Sequence, residues 1–145
     1  MHHIAKELTQ TINDFLSNLS PKISWESDIE IGKWSNKEVM GHLIDSAQIN
    51  LQRFVRCTYE DRFKLIYHQD EWVKAQHYRN ADSCELIELW KLLNLQLVRV
   101  MENYPAERLN ATCDTGRYGV SLNTVEFLAS DYVAHMQHHL KQLTT

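Results

Sequence analysis

Glycine and proline are scarce in this chain, with 4 Gly and 2 Pro in 145 residues. An all-β fold needs far more turn punctuation, whereas Leu, Glu, Gln, Lys and Ala fill long uninterrupted segments, so the composition predicts helix. Cysteine is also sparse. Cys57, Cys84 and Cys113 are odd in number, widely spaced and without a CxxC pair. That excludes a disulfide framework and a zinc knuckle. They read as ordinary thiols, with Cys57 and Cys84 inside helical patterns as small buried hydrophobes. No run of eighteen apolar residues occurs and Met1 to Lys6 holds no signal-peptide core, which predicts a cytoplasmic protein with no membrane partner. A net charge of −4 with scattered basic residues carries no footprint for nucleic acid or an anionic surface. The expectation is one domain over residues 1–145, a length that buries roughly 70% of the unfolded surface without a covalent staple.

Apolar periodicity then places the helices. Ile4, Leu8, Ile12, Phe15, Leu16 and Leu19 share one face until Ser20-Pro21 stops the pattern, since proline has no N–H to continue it. Lys22 to Lys33 has no sustained period and reads as a loop packed down by Trp25 and Ile29. Ser35 and Glu38 form a capping-box signature, with Trp34 and Val39 as a hydrophobic staple, so a second helix starts there and runs toward Tyr59. Glu60 to Ala81 has no dominant period and predicts a long crossover between helices two and three with a short helix near residues 70 to 77. Asp82 to Glu85 supplies another cap, and Leu86, Leu89, Trp90, Leu93, Leu97, Val100 and Met101 mark a third long helix ended by Pro105. Gly116 and Gly119 around Arg117-Tyr118 predict an exposed turn or short hairpin. Ser121 can cap the last helix, whose buried side carries Val125, Leu128, Tyr132, Met136 and Leu143. Four long stripes without repeats predict an all-α four-helix bundle.

The last helix also carries His135, His138 and His139. Positions three and four apart on a helix lie on one face, so His135 can pair with either neighbour. The i,i+4 pair His135 and His139 is the usual helical metal arrangement. Bundles build metal sites from facing helices, and His42, at the margin of the apolar stripe near the start of helix two, can supply a third ligand. Three neutral imidazoles suit a divalent zinc, nickel, iron or copper ion and leave positions open for water or substrate. The competing reading is of interfacial histidines whose positive form complements the C-terminal end of a helix dipole. Asp45 and Asp131, each one turn from a candidate ligand, can orient a ring N–H or simply be solvated. His68 and His77 read as surface residues, His2 and His3 as part of a fraying terminus. Tyr67, Trp72 or Tyr78 can form a lid. The four tryptophans read as core and staple.

Other chemistry is missing. There is no glycine-rich phosphate loop and no GxSxG, and Gln137 stands between the histidines where a zincin would need glutamate. No paired Glu-x-x-His motif of the di-iron type occurs.

Taken together, Lys33-Trp34-Ser35-Asn36-Lys37-Glu38-Val39-Met40-Gly41-His42-Leu43-Ile44-Asp45-Ser46, then Asp70-Glu71-Trp72 with Tyr78, then Asp131 through His135-Met136-Gln137-His138-His139 to Leu143, resemble the DinB-like (DinB/YfiT-like) superfamily of small helical bundles. The resemblance extends over nearly the full length and rests on the order of individually weak motifs. It implies a four-helix bundle with a divalent metal held by His42, His135 and His139. It also implies an activity: members include thiol-dependent transferases and isomerases in which the metal activates a low-molecular-weight thiol. The expected function is therefore a metal-dependent S-transferase acting on small electrophiles, as a homodimer, with Arg53, Arg79 or Arg117 as candidates to hold an anionic thiol. The alternative is a non-catalytic metal-binding or stress-associated bundle.

Overall fold

The computed structural model describes residues 1–27 and 30–143. Four long helices form the body: α1 (His2–Asp14), α2 (Asn36–Arg56), α4 (Ser83–Glu102) and α5 (Val125–Leu143), with a short α3 (Gln69–Gln76) in the crossover. The helix principally packed against both α1 and α2 is α4, and α5 packs against the same two. Helices α1 and α2, consecutive in the chain, thus lie on opposite sides of the bundle, and the crossover links two helices that touch.

The first helix begins at His2, with His2 and His3 exposed in its opening turn rather than preceding it. Beyond Asp14 it widens into a π-helical segment, Phe15–Leu19, which carries the buried Phe15 edge-on to the Trp90 ring at 4.9 Å. The capping box of α2 forms as its sequence requires. Ser35 Oγ accepts from the Glu38 N–H at 3.2 Å and Glu38 Oε2 accepts from the Ser35 N–H at 2.8 Å. Trp34 and Val39 both pack on the core, so two orphan donors and the entry angle of the chain are settled together. At 1.5 Å per residue the 21 residues of α2 span about 32 Å, and the helix stops at Arg56, short of Tyr59. Trp25 packs partly on the core as expected, while Ile29 lies outside the described residues. Cys57 and Cys113 are buried, but Cys84 is exposed: it sits in the first turn of α4 on the face opposite Leu86 and Trp90.

Three very short strands depart from a purely helical expectation. β1 (Phe63–Lys64) pairs in parallel with β2 (Thr112–Asp114), which pairs antiparallel with β3 (Leu122–Thr124). Strands of two or three residues have too few positions to show a period, so only the β2–β3 hairpin was legible. Gly116 is required at its turn, because a Cβ there would lie 1.6 Å from the Gly119 carbonyl oxygen. Asp114 Oδ1 accepts from the N–H groups of Gly116 and Ser121, both at 2.9 Å. Ser121 is thereby part of the turn, and the side chain that caps α5 is Thr124, whose Oγ1 accepts from the Phe127 N–H at 3.2 Å.

The crossover is held onto α2 at one point that bears on the site. The Tyr78 ring lies directly on Gly41, where an added Cβ would fall 2.0 Å from ring carbon Cδ2. Its hydroxyl donates to Asp45 Oδ1 at 2.6 Å. Only a residue with no side chain lets the crossover approach this closely.

Candidate metal centre

Each candidate ligand is placed by a different piece of the fold. His42 lies in the second turn of α2 and is 1% exposed. His135 and His139 lie one turn apart on α5, both half-buried. Packing α2 against α5 brings the three rings together nearly perpendicular to one another, at interplanar angles of 79°, 77° and 76°. His135 Nε2 is 3.2 Å from His42 Nε2 and 3.1 Å from His139 Nε2. Among the described residues, these three form the one histidine, cysteine and carboxylate group with donor atoms converging within 4.8 Å.

The second nitrogens decide what that convergence can do. His139 Nδ1 is 2.8 Å from Gln142 Oε1, an oxygen that can only accept, so Nδ1 carries the proton and Nε2 a lone pair. His42 Nδ1 is 2.9 Å from the Tyr67 hydroxyl, which is also within 3.5 Å of the His42 carbonyl oxygen. In the tautomer that ligation needs, the hydroxyl proton is directed to that carbonyl, the Tyr67 oxygen accepts from His42 Nδ1–H, and His42 Nε2 too presents a lone pair. Two acceptors then face His135 Nε2, which has at most one proton to offer. At most one of the two short N···N contacts is a hydrogen bond, and a lone pair still points at the centre.

A divalent cation held by the three rings would resolve this arrangement. Nitrogens bound to one ion at ~2.1 Å with angles between tetrahedral and octahedral lie about 3.0–3.4 Å apart, which matches both observed spacings. Electrostatics agree, because metal ligation needs neutral imidazole. Burial, then repulsion from His135 and His139, pulls His42 from its usual 6.5 down to about 3. Burial and the neighbouring His139 lower His135, against a smaller opposing pull from Asp131. Both shifts favour the neutral ring that ligation needs.

The ring orienters differ from the sequence-based expectation. Asp45 does not touch His42: its Oδ1 accepts from Tyr78 and from Gln76 Nε2, both at 2.6 Å, because Asp45, three residues after His42, turns toward the crossover. Asp131 forms no hydrogen bond with His135 and is exposed. The orienter is Tyr67, whose ring stacks on His42 at 5.7 Å and 8°, with Trp34 against His42 at 5.1 Å. The sequence offered Tyr67 only as part of a lid, and no local signal marks it as the partner of a ring 25 residues away. His138 is exposed and accepts from Gln142 Nε2 at 3.2 Å, so it steadies the amide that orients His139. His68 and His77 are exposed, as expected.

A cavity of about 150 Å³ opens beside His42 and His135, lined also by Ser46, Asn50, Arg53, Tyr67, Asp131 and Tyr132. Its α2 wall was legible in principle. His42, Ser46, Asn50 and Arg53 recur at offsets of four, eight and eleven, which keeps them on one helix face, and all four are buried. Of the three candidate arginines only Arg53 is here. Arg79 pairs with Glu38 at 2.8 Å, and Arg117 lies over the exposed Tyr118 ring in the hairpin.

Residues 6–143 match the DinB superfamily as a family. The chain belongs to the DinB superfamily. Among solved structures, this DinB-superfamily chain is similar to YfiT from Bacillus subtilis, described as a probable metal-dependent hydrolase with an unusual four-helix bundle topology. The TM-score is 0.74 at 18% identity, over 99% of this chain and 79% of that one. No curated protein matches. The four-helix bundle read from the apolar stripes is therefore the superfamily fold, and no helix among the described residues is long and apolar enough to cross a membrane.

Proposed function

We propose that the protein is a metal-dependent enzyme acting on small molecules, with a divalent ion such as zinc, nickel or iron held by Nε2 of His42, His135 and His139. The observation that carries this reading is the three-nitrogen convergence beside an open cavity, which leaves room for a reactant next to the ligand set. A divalent ion bound there lowers the pKa of a thiol or water that reaches it. The chain's own contribution is to fix the ligand tautomers through Tyr67 and Gln142, favour the neutral rings of His42 and His135 by burial, and shape the cavity.

Within that reading the reaction we infer is transfer of a low-molecular-weight thiol to a small electrophile. The cavity wall favours it over hydrolysis, since its sole carboxylate is the exposed Asp131 and activation of a thiol needs no strong general base at neutral pH. Hydrolysis is the second reading, favoured by the description of YfiT, and would use Asp131 as the base that takes a proton from water.

Elemental analysis of freshly purified protein, followed by thiol-conjugation and ester- or amide-hydrolysis assays with and without chelator, tests both. The expected result is about one divalent ion per chain, chelator-sensitive conjugation, and no loading in a His42→Ala, His135→Ala double variant. Equal loading of that variant would remove the site. Chelator-sensitive hydrolysis abolished by Asp131→Asn, with no conjugation, would replace the transferase reading by the hydrolase one.

A further inference from the structure

The cavity wall holds a cation that the ligand set does not use. Arg53 is 9% exposed, and its Nε–H has no hydrogen-bond partner. Nη2 donates to the Leu65 carbonyl at 2.9 Å, a neutral acceptor. No carboxylate among the described residues forms an ion pair with this guanidinium. The Cys113 thiol is hydrogen-bonded to the guanidinium but is kept protonated by burial, so it supplies no counter-charge, and the exposed Asp131, on the same cavity wall, acts on Arg53 only at a distance. A guanidinium cannot shed its charge near neutral pH. Its burial without an anion is unfavourable unless a ligand provides one.

The position is informative as well. Arg53 follows His42 by eleven residues on the same face of α2, about 16 Å along the axis. Long helical side chains lean toward the N-terminal turn, which draws the guanidinium back toward the histidines and onto the wall they share. The cavity is the volume of roughly five waters, room for a molecule with one group at the histidines and another at the arginine. Asn50 and Ser46 line the space between.

We propose that Arg53 is an anion subsite that takes the carboxylate of the small molecule reaching the three-histidine centre. The proposal rests on the functional reading above and narrows its substrate class to carboxylate-bearing reactants, the chemistry that a planar two-donor edge recognises. The carboxylate belongs either to the thiol or to its electrophile.

The test begins with the full chain stripped of metal by chelator, so that it reads the subsite whether or not metal binds. Acetate and its neutral isostere acetamide are titrated at constant ionic strength while the Arg53 Nε–H resonance is followed by NMR. Acetate is expected to shift that resonance saturably and to bind at least ten times more tightly than acetamide. Arg53→Gln should weaken acetate tenfold or more, and Arg53→Lys should retain part of the binding through its point charge. Equal binding of acetate and acetamide to the wild type, or an unmoved Nε–H resonance, would overturn the proposal. The wild-type comparison decides alone if Arg53→Gln fails to fold. In metal-loaded protein, 3-mercaptopropionate binding tenfold tighter than 2-mercaptoethanol supports the subsite and assigns the carboxylate to the thiol. Equal affinity for the two thiols, with acetate binding intact, supports it and assigns the carboxylate to the other reactant.

Discussion

Replacing Tyr67 by phenylalanine isolates the device that orients His42. The substitution keeps the ring that stacks on the imidazole at 5.7 Å and removes only the hydroxyl 2.9 Å from Nδ1. His42 is 1% exposed, and water can replace the lost partner only from the cavity that it shares with Tyr67, so the cost of an unpaired donor is the upper bound. A buried donor left unpaired costs about 1–3 kcal/mol. For a chain of this size that lowers the melting temperature of the metal-free protein by about 2–4 °C per kcal/mol. Freed from Tyr67, His42 can also move its proton to Nε2, the tautomer that cannot ligate. Outer-shell partners of this kind are typically worth 10–100-fold in metal affinity, or about 1.4–2.7 kcal/mol. Competition against a chromogenic zinc chelator measures the affinity, and thermal unfolding in excess chelator measures the metal-free stability. Wild-type zinc affinity in a Tyr67→Phe protein that folds normally would refute the assignment of Tyr67 as orienter.

Other consequences follow from the same contacts. Gly41→Ala should destabilise by at least the ~1–3 kcal/mol of an overpacked core, because its Cβ meets Tyr78 ring carbons at 2.0 to 2.3 Å; Gly119→Ala, with nothing within 4 Å, is the control in denaturant unfolding. Metal-free protein should lose stability as the pH falls. His42 takes up its proton near pH 6.5 when unfolded but only near 3 when folded, so its contribution is complete above about 6.5 and declines below it, by up to ~1.4 kcal/mol per pH unit. His135, lowered in the same direction, adds to the slope, and a His42→Gln variant should flatten it in urea titrations between pH 5 and 6.5. A thiol reagent should modify Cys84 quickly in the native protein and reach the buried Cys57 and Cys113 only on unfolding. Burial pushes the Cys57 thiol up to about 11, leaving little reactive thiolate; mass spectrometry of the labelled chain reads the order of modification.

The parts of the fold legible in sequence are those set by local chemistry. Ser35 and Glu38 could be read because a capping box needs only four consecutive residues, and the stripes of α1, α2, α4 and α5 because helical burial repeats every three or four positions. The end of α1 was less legible: Pro21 marks where a helix must stop, but the π-helical widening at Phe15 answers to packing on Trp90. Thr124 rather than Ser121 caps α5 because Asp114 takes Ser121 into the hairpin turn, a choice made across seven residues. Cys84 came out exposed because α4 turns that side away from the core, and a single residue in a helical pattern does not reveal which way the helix faces.

By itself, then, the sequence determined that long amphipathic helices form, where α2 starts, and that His135 and His139 share a face, because each depends on residues within one or two turns. Tertiary structure decided what those histidines meet. Packing α2 on α5 brings His42 Nε2 to 3.2 Å from His135 Nε2 across 93 residues. The crossover, seated in the space left by Gly41, delivers Tyr67 to His42 while Tyr78 takes Asp45. The same assembly buries Arg53 in the cavity wall beside those rings. None of these contacts has a period or a local spacing; each exists only where separate helices converge and exclude water from the polar groups between them.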